Sequence, residues 1–162
     1  MAWGSSNLYI SKDFSSFNIP ILLIRPLTPD EYDRVMYIWL YANIEAHAFI
    51  PADYWRDNFD KTREMLPSAE VWVYEDEEDV CGFIGLTGDY VAGLFVAEEY
   101  RGKGFGRALL SHAKNIHRYL QLNVYEKNLR ARTFYEREGF SVMERHWDDA
   151  TRQYELTLNW QL

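Results

Sequence analysis

A single cysteine, Cys81, stands in a chain of 162 residues, so no disulfide can close within it. It lies in an apolar, strand-like run and reads as a buried, inert thiol rather than a nucleophile. No stretch approaches the ~18 apolar residues that a membrane-spanning helix requires. The N-terminus has no basic start with an apolar run behind it, so no signal peptide is expected. With the unpaired cysteine, this reads as a reducing, cytoplasmic protein. Basic residues are scarce: 17 Lys and Arg face 25 Asp and Glu, for a net charge of −8. That balance speaks against nucleic acid as the main partner, because neutralised phosphates supply most non-specific affinity there. It favours a cationic partner such as an amine. His112, His117 and His146 have no zinc-ligand spacing and no second cysteine to join them, so no metal is expected. Internal repeats and low-complexity tracts are missing as well.

What remains is one domain of ordinary size, 17% aromatic with six Trp and twelve Tyr, whose core and pockets will be lined by rings. Residues 1–20 form an extension ahead of a single domain at 21–162. Ile21 to Arg25 reads as a strand broken at Pro26. Thr28, Pro29 and Glu31 fit the N-cap, first-turn proline and capping box of a helix whose apolar stripe runs Tyr32, Val35, Met36, Trp39, Leu40. A second helix is expected from Asp53 to Met65, ending at Pro67. Val71–Tyr74 and Val80–Leu86 read as a hairpin joined by the acidic run 75–79. Tyr90–Val96 and the alternating Leu120, Leu122, Val124 follow as strands, and Phe140–Trp147 with Tyr154–Trp160 as a closing hairpin.

The densest signal is Arg101, Gly102, Lys103, Gly104, Phe105, Gly106, Arg107, set between the strand-like Leu94, Phe95, Val96 and a helix over Ala108 to His117. A glycine-rich strand-to-helix turn gathers backbone N–H groups at a helix N-terminus, where the dipole favours an anion. Without a Cβ, glycine lets a phosphate approach the backbone. Residues 101–118 carry five basic residues and no acid, leaving twelve basic against 25 acidic elsewhere, or −13. The run is not a P-loop: Lys103 precedes the last glycines and no Ser or Thr follows. Nor is it a dinucleotide fingerprint, because the glycines alternate. A second segment, Asn128 to Phe140, reads as a short helix with Asn128 as N-cap, Ala131, Phe134 and Tyr135 on one face, and Gly139 as the stop.

Together the two segments resemble the GCN5-related N-acetyltransferase (GNAT) family. Its acetyl-CoA signature, Gln/Arg-x-x-Gly-x-Gly/Ala, is matched by Arg101, Gly104 and Gly106. Its second signature is matched by Asn128, Ala131, Phe134, Tyr135, Gly139 and Phe140. The resemblance covers roughly residues 22–160 and is greatest to the bacterial YiaC/YjaB-like branch. It implies an α/β (α+β) fold: a mixed, mostly antiparallel sheet of about seven strands flanked by about four helices.

The resemblance also implies a chemistry, acetyl transfer from acetyl-CoA to an amine by direct attack in a ternary complex, without a metal. Backbone N–H groups from Arg101 to Arg107, including those of Gly102 and Phe105, would hold the pyrophosphate, with Arg101, Lys103 and Arg107 adding charge. The pantetheine arm would run beside Leu94–Val96, where an N–H near Phe95 or Val96 polarises the carbonyl. Asn128 would contact the pantetheine amides, next to Ala131. Tyr135 would be the general acid for the departing thiolate. Some relatives place a glutamate twelve residues before that tyrosine, but here the position is Asn123, which cannot act as a base. His47 is the leading substitute, with Glu45, Asp53, Asp89 or a water chain behind it. Acceptors range from a protein lysine or N-terminus to a small amine, and the chain would act as monomer or homodimer. The competing readings are a non-catalytic acyl-CoA sensor, which the missing glutamate permits and Tyr135 opposes, and an aminoacyl-tRNA-acetylating toxin, which the −13 remainder opposes.

Overall fold

The computed structural model describes residues 23–162. The expected extension 1–20 and the start of the first expected strand lie outside the described residues. In chain order the elements are β1 (Leu23–Pro26), α1 (Tyr32–Ala46), α2 (Ala52–Asp57), α3 (Phe59–Met65), β2 (Glu70–Asp76), β3 (Asp79–Thr87), β4 (Tyr90–Val96), α4 (Phe105–Ile116), β5 (Tyr119–Tyr125), α5 (Leu129–Arg137), β6 (Ser141–Asp148) and β7 (Gln153–Gln161). The strands form one sheet in the order β1-β2-β3-β4-β5-β7-β6. Every pairing is antiparallel except β4 with β5. The sheet is therefore mixed and mostly antiparallel, as expected, with five α-helices among the described residues.

Period-two alternation decides which side chains face which helices. Leu120, Leu122 and Val124 of β5, with Leu156 and Leu158 of β7, turn toward α4 and α5 and pack with Leu109, Leu110, Ala113 and Tyr135. The opposite face takes α1, whose Val35, Met36 and Ile38 meet Val73 and Phe83. A smaller cluster of Ile50, Trp55 and Tyr125 closes the end of α1 and α2 against β5. Each fully buried aliphatic side chain in these clusters contributes about 1.5–3 kcal/mol.

Two local differences have identifiable causes. The single helix expected over 53–65 is broken at Asn58, whose side-chain amide donates to the Tyr54 carbonyl at 2.7 Å and whose backbone (φ −93°, ψ 0°) leaves the helical region. An Asx side chain that bonds nearby backbone competes with the helical ladder. The acidic run is mostly strand: β2 extends to Asp76, β3 begins at Asp79, and only Glu77 and Glu78 turn, both at positive φ. Two left-handed residues make the tight turn whose twist suits a hairpin. Cys81 is buried, and that burial pushes its thiol up to about 11, as expected of an inert thiol.

Candidate active site

The one parallel contact in the sheet is a fork. β4 and β5 share a single register pair, Tyr90 with Gln121, beside a bond from the Gln121 N–H to the Asp89 carbonyl (2.9 Å). Beyond it the strands diverge, and the β5-facing edge of Leu94–Val96 opens into a cleft of about 660 Å³. The phase of pairing with β3 determines what that edge presents. The Ala97 N–H bonds the Cys81 carbonyl at 2.8 Å. By antiparallel alternation Phe95 also points its backbone at β3, whereas Leu94 and Val96 point theirs into the fork. Of the two expected carbonyl-polarising groups, Val96 N–H therefore faces the cleft and Phe95 N–H does not. The Phe95 ring packs on Phe83, 5.3 Å between centroids.

The N-terminus of α4 forms the next wall. Gly102 (φ +77°) and Gly104 (φ +85°) adopt left-handed conformations, and a Cβ at either would meet nothing within 4 Å, so both face open space. Gly104 caps α4, and the first helical bond runs from the Ala108 N–H to its carbonyl at 3.0 Å. The N–H groups of Phe105, Gly106 and Arg107 thus have no acceptor within the helix. Phe105 holds the helix by stacking on Tyr74 at 4.1 Å, so its contribution to the cleft is backbone. Gly106 lies on the floor, where a Cβ would come 3.5 Å from Val96 and 4.0 Å from Phe134.

The basic side chains depart from expectation. Lys103 does not line the cleft; its ammonium lies 5.4 Å from the Tyr100 ring centroid. Arg101 does line it, but its guanidinium is committed to the Val96 carbonyl (3.1 Å) and to Glu45 (2.7 Å). Its own N–H bonds Glu98, so neither group is free for a phosphate as expected. Arg107 is largely exposed, 3.2 Å from Glu138. Lys127 and Arg130, which the sequence reading passed over, stand on the α5 side. Among the described residues the cleft thus carries four cations and one carboxylate, Glu45, in an acidic protein. Basic residues flanking Asn128 were the available signal.

The second segment supplies the far wall. Asn128 Oδ1 accepts from the Ala131 N–H at 3.2 Å, capping α5 as expected, and Nδ2 lies 3.1 Å from His47 Nε2. The cap fixes which end of the amide faces the ring, so His47 Nε2 is the acceptor and Nδ1 carries the hydrogen. Nδ1 is buried and has no partner among the described residues. His47 closes α1, lines the cleft, and stacks on Trp55 at 5.1 Å. Burial pulls its pKa down to about 4, so it is neutral at physiological pH with its lone pair already engaged. Those are poor attributes for the expected general base and good ones for holding Asn128 in place. Tyr135 lines the cleft with only 9% of its surface exposed, against Phe134 and Phe140. Burial foremost, and the neighbouring Tyr90, push its phenol above the ordinary range, so it stays protonated.

His47 gives a pH signature. Unfolded, its ring titrates near 6.5, and folded near 4, so the unfolded chain binds the extra proton in between. Its contribution is full above pH 6.5 and is lost as pH falls toward 4, by up to about 3 kcal/mol. Denaturation of wild type and His47→Gln between pH 7 and 4.5 should show a flatter dependence in the variant; parallel curves would refute the assignment.

Comparison with known proteins fits this geometry. The sequence profile described as Acetyltransferase (GNAT) domain matches residues 67–142. The chain is 33% identical over 140 residues to the peptidyl-lysine N-acetyltransferase YiaC of Escherichia coli K12, covering 85% of this chain and 96% of that protein. It is 35% identical over 138 residues to the peptidyl-lysine N-acetyltransferase YjaB of the same organism, covering 84% and 94%. The solution structure of apo-form YjaB from Escherichia coli superposes with a TM-score of 0.76 at 33% identity, over 86% of this chain and 97% of that one.

Proposed function

This chain belongs to the GNAT acetyltransferase family, and from that premise we propose that it transfers the acetyl group of acetyl-CoA to a lysine side chain of a protein. The observation that carries the reading is the pairing of two open backbone surfaces in one cleft. The unsatisfied α4 N-terminus with its left-handed glycines suits a pyrophosphate, and the unpaired β4 edge suits an amide-bearing arm. The lysine acceptor rests on the similarity to YiaC and YjaB, both peptidyl-lysine N-acetyltransferases.

The thioester of acetyl-CoA supplies the activated acetyl group; the chain supplies binding, orientation and proton control. Phe105, Gly106 and Arg107 offer N–H groups along the helix axis to the phosphates. Val96 and Leu94 present N–H groups at the fork, already oriented where negative charge gathers on the carbonyl oxygen. Asn128, held by His47, keeps one amide proton for the arm. In the transfer the lysine nitrogen forms the new C–N bond as the C–S bond breaks. The ammonium gives one proton to water before attack, and the nitrogen gives up a second as the C–N bond forms. The departing sulfur is met by the Tyr135 phenol, which donates a hydrogen bond to it. The sulfur ends as the thiol, the phenol recovering from solvent any proton it passes on. The acid role of Tyr135 rests on its position in the cleft and its retained proton.

Calorimetric titration with acetyl-CoA, followed by mass spectrometry of a lysine peptide incubated with enzyme and acetyl-CoA, tests the reading. Micromolar acetyl-CoA affinity and a single acetyl group on the lysine are expected. A folded protein that binds no acetyl-CoA would overturn it.

A further inference from the structure

On the α1–α2 face of the sheet, away from the phosphate-sized wall, the register assembles a polar surface among aromatic rings. Tyr125 pairs with Glu155, Asn123 with Thr157, and Gln121 with Asn159, while Tyr90 pairs with Gln121 across the fork. Paired residues project from the same face, and neighbouring strands lie ~4.8 Å apart. The bond from the Thr157 hydroxyl to Asn123 Oδ1 (2.8 Å) confirms that phase. Glu155 therefore stands on the same face as Tyr90 and beside Tyr125. Tyr125 belongs to the cluster that Tyr54, Phe49 and Trp55 complete. Tyr90, 39% exposed, forms the open side of this surface.

The charge of Glu155 is felt on each side. After burial it is the next cause that raises the Tyr90 phenol, and it contributes to raising those of Tyr54 and Tyr125. Tyr90 is in turn the lesser cause, after burial, of the raised phenol of Tyr135, which lines the cleft. The nearby carboxylate Asp148 is occupied in the β6–β7 turn, accepting from the Thr151 hydroxyl (2.6 Å) and the Ala150 N–H (3.1 Å). Glu155 is held through one oxygen, Oε2, 2.9 Å from His146 Nε2, which leaves Oε1 able to accept from a ligand.

We propose that Glu155, paired with Tyr125 on the face that Tyr54 borders, is the anchor that receives the protonated amine of the acceptor beside the open end of the β4–β5 fork. The inference deepens the lysine-acetyltransferase reading and rests on it. A carboxylate half-sheltered by phenol rings attracts an ammonium through charge and through the ring faces, and desolvation strengthens both. The geometry makes Glu155 a determinant of specificity and not the base: it draws in the charged amine, whose proton leaves to water before attack. Its location also accounts for Asn123. With the carboxylate supplied from β7, the β5 position is left to a neutral side chain that fixes the strand pairing through Thr157.

The test compares equilibrium binding of two short blocked peptides, one with a single lysine and one with norleucine in its place, to wild type, Glu155→Gln and Glu155→Asp. Unliganded CoA is titrated first. Wild type should prefer the lysine peptide by at least about tenfold, Glu155→Gln should lose that preference, and Glu155→Asp should keep much of it. Thermal melting and CoA affinity show that each variant is folded. An undiminished preference in Glu155→Gln, or no preference in wild type, overturns the proposal. Lack of CoA binding instead sinks the acetyltransferase reading. The peptide titrations are repeated without CoA, so the two failures are distinguishable.

Discussion

Gly104→Val should reduce acetyl-CoA affinity by about 100-fold or more, with the protein still folded at 25 °C. Gly104 sits at φ +85° as the cap of α4, and no atom lies within 4 Å of where a Cβ would stand. Two effects coincide there. A β-branched residue in the left-handed region is strained by roughly 1–2 kcal/mol, which pulls the turn away from its present course. The new side chain also occupies the open space in front of the Phe105, Gly106 and Arg107 amides, displacing whatever anion they would bind. Gly104→Asn separates the two, because asparagine tolerates positive φ while still adding a side chain. Calorimetry should show an intermediate loss for Asn if both effects operate. Unchanged affinity in both variants would mean that the α4 N-terminus is not the phosphate site.

Tyr135→Phe should lower kcat by about 100-fold while acetyl-CoA affinity stays within about twofold, a size typical of losing a positioned proton donor. The ring is buried against Phe134 and Phe140, contacts that phenylalanine keeps, so the phenolic O–H is the only group removed. Full transfer from a phenol raised above its ordinary ~10 to a thiolate with a conjugate-acid pKa of ~8.5 is uphill. Donation of a hydrogen bond that strengthens as the sulfur acquires charge is the more effective contribution. An apolar setting also raises the basicity of sulfur, as burial raises the Cys81 thiol to about 11. Because Tyr135 holds its proton through the accessible range, its loss should lower the pH–rate curve without moving its limbs. A fully active Tyr135→Phe enzyme would remove the residue from the chemistry.

Much of this was legible in the sequence, and for physical reasons. Left-handed turns select glycine, and helix caps select asparagine, so Gly102, Gly104 and Asn128 mark two walls of the cleft in the sequence itself, and Gly139 marks the end of α5. Strand boundaries followed from alternation and held best where one face is buried, as in β4 and β5. Directions were not legible. Whether Phe95 or Val96 offers its N–H to the fork depends on the pairing phase with β3, which a single bond from Ala97 to Cys81 sets. Where a guanidinium goes depends on partners far along the chain: Arg101 turns to Glu45, 56 residues away. The same holds for Glu155, brought beside Tyr125 by a register across thirty residues. The polar alternation of Glu155, Thr157 and Asn159 on the closing strand was the available sign that its face meets more than solvent.

The single register pair between β4 and β5 has a consequence for how the molecule is put together. β1 to β4 form one antiparallel meander, and β5, β7 and β6 form a second antiparallel unit with β7 in the middle. The β2–β3, β3–β4 and β6–β7 hairpins are local, whereas β1–β2 and β5–β7 join residues thirty or more apart in sequence. Local contacts close early because little loop entropy opposes them. The two halves therefore suit independent assembly, with α4 as the strap between them and the fork as the last seam. A ligand seated in that seam touches both halves at once and acts as a missing strand. Under the proposed function, the binding free energy of acetyl-CoA in that seam would add directly to the cohesion of the whole sheet.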